Sequence, residues 1–107
     1  MPLPFPFTDL SAIKRRPAVL LSTNSYNSRR LDIMVVPITS NVAGRQPEDY
    51  LLSDWARAGL PKPSVVKCVL GTVEQNQVIR RLGALTAADL RQVEAMIAAA
   101  LGLPKPP

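Results

Sequence analysis

Asp32-Ile33-Met34-Val35-Val36-Pro37-Ile38-Thr39 is the stretch on which the fold turns. A strand with one wet face alternates apolar and polar residues. This one does not: Ile33, Met34, Val35, Val36 and Ile38 point apolar groups to both sides. The pattern predicts a strand over Asp32 to Thr39 buried on both faces, as in a barrel or a dimer seam. Pro37 cannot donate to a ladder, so it marks an edge or a bulge. Bulges re-aim side chains next to functional sites, and Thr39 and Ser40 follow at once.

Upstream, Pro17 launches a strand predicted over Ala18 to Thr23. Downstream, residues 41–49 read as a polar loop and Tyr50 to Leu52 as a short strand. Ser53 to Gly59 reads as one helical turn, with a Ser cap and a Gly stop. Pro61 and Pro63 force an extended approach to a strand over Ser64 to Leu70, and a further strand is expected over Gln77 to Leu82. Thr86 with Asp89 three residues on is a capping signal, and Leu85 can staple onto Leu90. Leu90, Val93, Ile97 and Leu101 then fall on one helical face. Gly102 ends that helix and Pro104 prevents its return. The reading is a mainly β chain with helices, a small barrel carrying a C-terminal helix. Residues 1–103 form one domain, and 104–107 form an extended Pro-rich tail.

The chain has 107 residues, 47% hydrophobic and 20% charged, which is globular composition for one domain. No apolar run is long enough to span a membrane. The opening Met-Pro-Leu-Pro-Phe-Pro-Phe lacks the basic and apolar regions of a signal peptide. The single cysteine, Cys68, excludes a disulfide framework and a cysteine-rich zinc site, and a reducing cytoplasm fits best. The chain has no histidine, which removes Ser-His-Asp triads, Cys-His pairs and paired-histidine nucleases. Thirteen Lys and Arg against eight Asp and Glu give a net charge of +5, which favours a polyanion or an acidic protein as partner.

Lys14, Arg15 and Arg16 stand before Pro17 at a strand mouth. They read either as a solvated basic turn or as a phosphate clamp, since a guanidinium matches two phosphate oxygens at once. Thr39 and Ser40 read either as turn chemistry or as hydroxyls for a phosphate oxygen. Arg29-Arg30 and Arg80-Arg81 are further basic pairs that could line a groove for single-stranded RNA. Cys68, in an apolar run without a histidine, reads as an inert thiol. Trp55 reads as a packing anchor.

The strings Pro4-Phe5-Pro6-Phe7-Thr8-Asp9-Leu10, Lys14-Arg15-Arg16-Pro17-Ala18-Val19-Leu20 and Val36-Pro37-Ile38-Thr39-Ser40 together resemble the PemK/MazF family of toxin endoribonucleases. Leu52-Ser53-Asp54-Trp55, Ala58-Gly59-Leu60, Lys62-Pro63-Ser64-Val65-Val66-Lys67 and Leu82-Gly83-Ala84-Leu85 continue the resemblance in the same order, over nearly the whole chain. It implies an SH3-like barrel of the MazF/Kid/CcdB type, a homodimer, and a ribonuclease that cuts single-stranded mRNA without metal or cofactor. It also implies an acidic cognate antitoxin as the inhibiting partner. By this resemblance Arg16 and Thr39 match the family's catalytic residues. Ser40 matches the neighbouring hydroxyl and Lys67 the basic residue before the Cys, and with Lys14 and Arg15 these are expected to bind RNA.

The sequence departs from the family in two places. Val69 stands where some members carry an Asp after that Cys. Met1 stands almost at the Pro-Phe-Pro-Phe string, where the family has a strand-forming segment, so the first strand is expected to be short or to continue upstream. Two other functions share the fold: a gyrase-binding toxin of the CcdB type, or a paralogue that only binds RNA or an antitoxin. The first has no need of an Arg16–Thr39 pair.

Overall fold

The computed structural model describes residues 2–4, 15–79 and 81–104, with residues 2–4 and 15 described by backbone alone. Its centre is the predicted strand, found with the expected bounds: β3, Asp32–Thr39. Before it come β1 (Pro2–Pro4) and β2 (Arg15–Leu20), then the short helix α1 (Asn24–Asn27). After it come β4 (Tyr50–Leu51), β5 (Val65–Val66), β6 (Gly71–Glu74) and the helix α2 (Ala87–Leu101). All pairings are antiparallel. The order is β1-β2-β3-β5-β4, with β6 also on β3. Among the described residues this sheet does not close into a full barrel, but the mainly β architecture with a C-terminal helix is as expected. The first strand is short, three residues against Arg15–Pro17.

β3 is covered on both faces, as its unbroken apolarity requires. Val36 and Ile38 join Val19, Val66, Leu52, Ala58, Leu60 and the helical Val93 in one cluster. Ile33 and Val35 join Ala18 and Val73 in the other. Val35, Val36, Val65, Val66 and Val93 are fully buried, and each such side chain contributes about 1.5–3 kcal/mol.

Pro37 lies neither on an edge nor in an ordinary bulge: it divides the partners of β3. Ile38 and Thr39 pair with β5, while Asp32 to Val35 pair with β6. The Pro37 carbonyl accepts from the Lys67 N–H at 2.9 Å, but Pro37 has no N–H to return. The ladder therefore stops there. This is the physical reason why the strand expected over Ser64 to Leu70 is only Val65–Val66. Among the described residues no strand forms over Gln77 to Leu82. Pairing on β3 is taken up by Gly71–Glu74 instead, and a 3-10 turn fills Gln75–Gln77. The upstream strand ends at Leu20 rather than Thr23, because Thr23 caps α1 by accepting from the Tyr26 N–H.

α2 starts and stops where the sequence indicates. The Thr86 hydroxyl accepts from the Asp89 N–H at 3.2 Å, and Gly102 closes the helix in the left-handed region at φ 71°. Its buried face is rolled from the expected one. Val93 is fully buried and Met96 and Ile97 pack on the core, but Leu90 and Leu101 are exposed. Asp89 sets the roll. It is 1% exposed, and it accepts from the Tyr50 hydroxyl at 2.5 Å and from the N–H groups of Ser53 and Asp54 at 3.1 and 3.0 Å. Burial pushes its carboxyl up, but these donors and the Thr86 hydroxyl win and hold it below the ordinary carboxylate value.

The predicted helical turn after β4 ends at Gly59, φ 92°, a conformation open to glycine at little cost. A Cβ on Gly59 would lie 2.6 Å from the Leu82 carbonyl oxygen, and one on Gly83 would collide with that of Ala58. The strings 58–60 and 82–85 thus meet backbone to backbone. Trp55 packs against the main cluster, as an anchor should.

Candidate active site

The register of β2 on β3 relates the positions of the two candidate residues Arg16 and Thr39. Ala18 faces Pro37, Val19 faces Val36 and Leu20 faces Val35. The ladder ends at Ala18–Pro37; carried two residues beyond that first pair, the same register would set Arg16 opposite Thr39. Directly opposed residues in an antiparallel pair share a face of the sheet. Pro17 fixes the backbone just after Arg16, and Arg16 is itself exposed. Thr39 is half-buried at the end of β3. Its hydroxyl oxygen accepts from the Asn41 N–H at 3.1 Å, which leaves its proton free to donate.

Lys67 is brought to the same end. Its backbone bonds to Pro37, and side-chain alternation places it on the face that carries Pro37 and Thr39. Ser40 is exposed just beyond Thr39, and its carbonyl accepts from the Val42 N–H at 2.9 Å. The backbone of Arg15 lies in β2, one step from Arg16, but its side chain lies outside the described residues, as do Lys14 and Arg80.

The pair Arg29-Arg30 does not join this group. It lies in the connection before β3, and seven residue steps along the strand, about 23 Å, separate Asp32 from Thr39. Arg30 stacks instead over the Tyr26 ring at 5.0 Å, and the Gln75 side-chain amide donates to its carbonyl at 2.8 Å. Arg81 lines a 510 Å³ cleft with Leu82, Leu85 and Leu90, and the same cleft is walled by Ala18, Val19 and Ile38 of β2 and β3.

Two residues of this end escaped the sequence reading. Arg45 is exposed on the loop that leaves Thr39. Asp49 accepts from the Cys68 N–H and the Gln46 N–H, both at 2.9 Å. A Pro-Glu-Asp run before a strand signals a turn, and only the fold shows what the Asp holds. The Cys68 thiol is pushed up by burial first, then by the charges of Asp49 and Glu48, so the thiolate is disfavoured and the thiol is a poor nucleophile.

Among the described residues the one ion pair is Asp54–Arg57, at 3.6 Å and largely exposed. Arg16, Arg45 and Lys67 therefore have no carboxylate partner there. Cations without an ion pair among the described residues, on segments that flank a strand-end hydroxyl, suit a phosphodiester. Among the described residues no helix is long and apolar enough to cross a membrane.

No curated protein matches the chain. The toxin MazF-mt6 of Mycobacterium tuberculosis is similar in structure with a TM-score of 0.73 and 28% identity, over 85% of this chain and 90% of that one. A MazE-MazF structure from Deinococcus radiodurans gives 0.71 and 25%, over 84% and 88%. A mycobacterial endoribonuclease solved with its cognate antitoxin shares the fold, with a TM-score of 0.72 and 24% identity over 92% and 88%. The model of the PemK-like, MazF-like toxins of type II toxin-antitoxin systems matches residues 5–101. With nearly all of its length matched, the chain belongs to the PemK/MazF toxin family.

Proposed function

We propose that this toxin is an endoribonuclease that cuts single-stranded mRNA by attack of the ribose 2′-OH on the adjacent phosphorus. The P–O2′ bond forms as the P–O5′ bond breaks; the 2′-OH gives its proton to water and the departing 5′-oxygen takes one from water, leaving a 2′,3′-cyclic phosphate and a 5′-OH. RNA carries its own nucleophile, so the protein orients it and stabilises charge on the phosphorane-like transition state. No step needs a metal or a cofactor. Arg16 stabilises that charge and hydrogen-bonds the departing 5′-oxygen. It does not act as the base, since a guanidinium keeps its proton up to a pH above about 12. Thr39 donates its hydroxyl proton to a phosphate oxygen, and Ser40, Lys67, Arg15 and Lys14 bind the flanking backbone.

The observation that supports this reading is the register of β2 on β3, which, carried two residues beyond Ala18–Pro37, brings Arg16 level with Thr39 at the end of the sheet where the Lys67 N–H bonds to Pro37. The names of similar structures, an endoribonuclease and MazE-MazF complexes among them, support it. So does their pairing with antitoxins. An acidic antitoxin covers the same basic end, and the working toxin is a homodimer in the cytoplasm. The purified protein in excess EDTA should convert a single-stranded RNA to fragments with cyclic-phosphate ends. Products with 5′-phosphates, or cleavage abolished by EDTA, would contradict the chemistry.

A further inference from the structure

The loop between β3 and β4 is tied at both ends. At its start, Thr39 accepts from Asn41, and the Asn41 side-chain oxygen accepts from the Gly44 N–H at 3.3 Å. At its end, Asp49 does three things. Its N–H donates to the Gln46 carbonyl at 3.0 Å. One carboxylate oxygen takes the Gln46 N–H, and the other takes the Cys68 N–H, one residue past Lys67. β4 pairs with β5 only from Tyr50 onward, Tyr50 facing Val66. The chain turns off the ladder at Asp49, and the Asp side chain supplies the acceptor there in place of a backbone carbonyl. One residue thereby closes the 46–49 turn, fastens the loop to the Lys67–Cys68 segment and holds Arg45 between the two ties.

We propose that Asp49 is a positioning residue for RNA binding, holding the Arg45 loop and the Lys67 segment in one fixed arrangement beside Thr39. The inference rests on the ribonuclease reading. A loop ordered before RNA arrives loses less entropy on binding. Asp49 is also an acid in a site for a polyanion, and this gives the test a sign. As a bare charge it repels RNA, so removing it would tighten binding. As a clamp it favours RNA, so removing it weakens binding. Glu48, exposed and adjacent, supplies the control for charge alone.

The experiment compares Asp49→Asn, Asp49→Ala and Glu48→Gln with wild type on a short single-stranded RNA, reading kcat and KM separately. Asp49→Ala is expected to raise KM about tenfold with kcat within about threefold. Asp49→Asn keeps an oxygen for Cys68 but cannot accept from both N–H groups, so it should fall between wild type and Asp49→Ala. Glu48→Gln should leave KM unchanged or lower it. The Cys68 amide should exchange its proton faster in Asp49→Ala, with Tm shifted by no more than a few degrees. A KM in Asp49→Ala equal to or below wild type would overturn the inference. So would a loss confined to kcat together with a large fall in Tm, which marks ordinary unfolding. A wild type that leaves RNA intact contradicts the ribonuclease reading itself, and the inference falls with it. An active wild type with indifferent Asp49 variants contradicts the inference alone.

Discussion

At the scale of single residues, Asp89 joins the start of α2 to the turn after β4 through three donors. Its replacement by Ala leaves partly buried donors without an acceptor, each costing up to roughly 1–3 kcal/mol. Urea unfolding of Asp89→Ala should therefore show a loss above about 2 kcal/mol, and a loss under about 0.5 kcal/mol would contradict the clamp. The sign of the pH effect follows from the carboxyl lying below its ordinary value. A depressed pKa gives stability that is complete above the unfolded value of about 3.9 and is lost as pH falls through the folded one. Acid should thus destabilise the wild type in that window more steeply than Asp89→Asn, and parallel acid curves would count against it. Thr86 and Asp89 were legible as a cap because the cap is local. The second use of Asp89 was not, since Tyr50, Ser53 and Asp54 stand 35 to 39 positions away.

At the scale of elements, β3 was readable to the residue because burial on both faces writes itself as continuous apolarity. The strands at Ser64–Leu70 and Gln77–Leu82 were misread for a related reason. Short apolar runs do not say how long their partner is, and Pro37 limits the ladder from the other side. The close approach of Gly59 and Gly83 appears in sequence only as two glycines in separate strings. Gly83→Ala would force apart two backbone segments, an overpacking that costs about 1–3 kcal/mol, with Tm falling by several degrees. Gly102→Ala meets no atom within 4 Å, so only its left-handed backbone is penalised, by about 1–2 kcal/mol. If Gly83→Ala melts at or above the wild-type temperature, the two strings are not in contact.

At the scale of the whole molecule, the net charge is +5, and among the described residues Arg29-Arg30 lie at the opposite end of β3 from Thr39. Charge count alone made Arg29-Arg30 equal to Arg16, and only the register separates them. Arg29→Ala with Arg30→Ala should therefore leave kcat within about threefold of wild type, because this pair acts at most through the general field of the protein. Thr39 and Arg16 are singled out by the family's strings alone, while the register that brings them level needed the pairing of β2 with β3. The central claim is that these two act on one phosphodiester, and a double-mutant cycle on single-turnover RNA cleavage tests it most directly. Arg16→Ala should lose on the order of 100-fold or more and Thr39→Val a smaller factor. The double variant should lose little beyond Arg16→Ala, as residues acting as a unit do. Cleavage at the wild-type rate by Arg16→Ala, or losses that simply multiply in the double variant, would contradict the account.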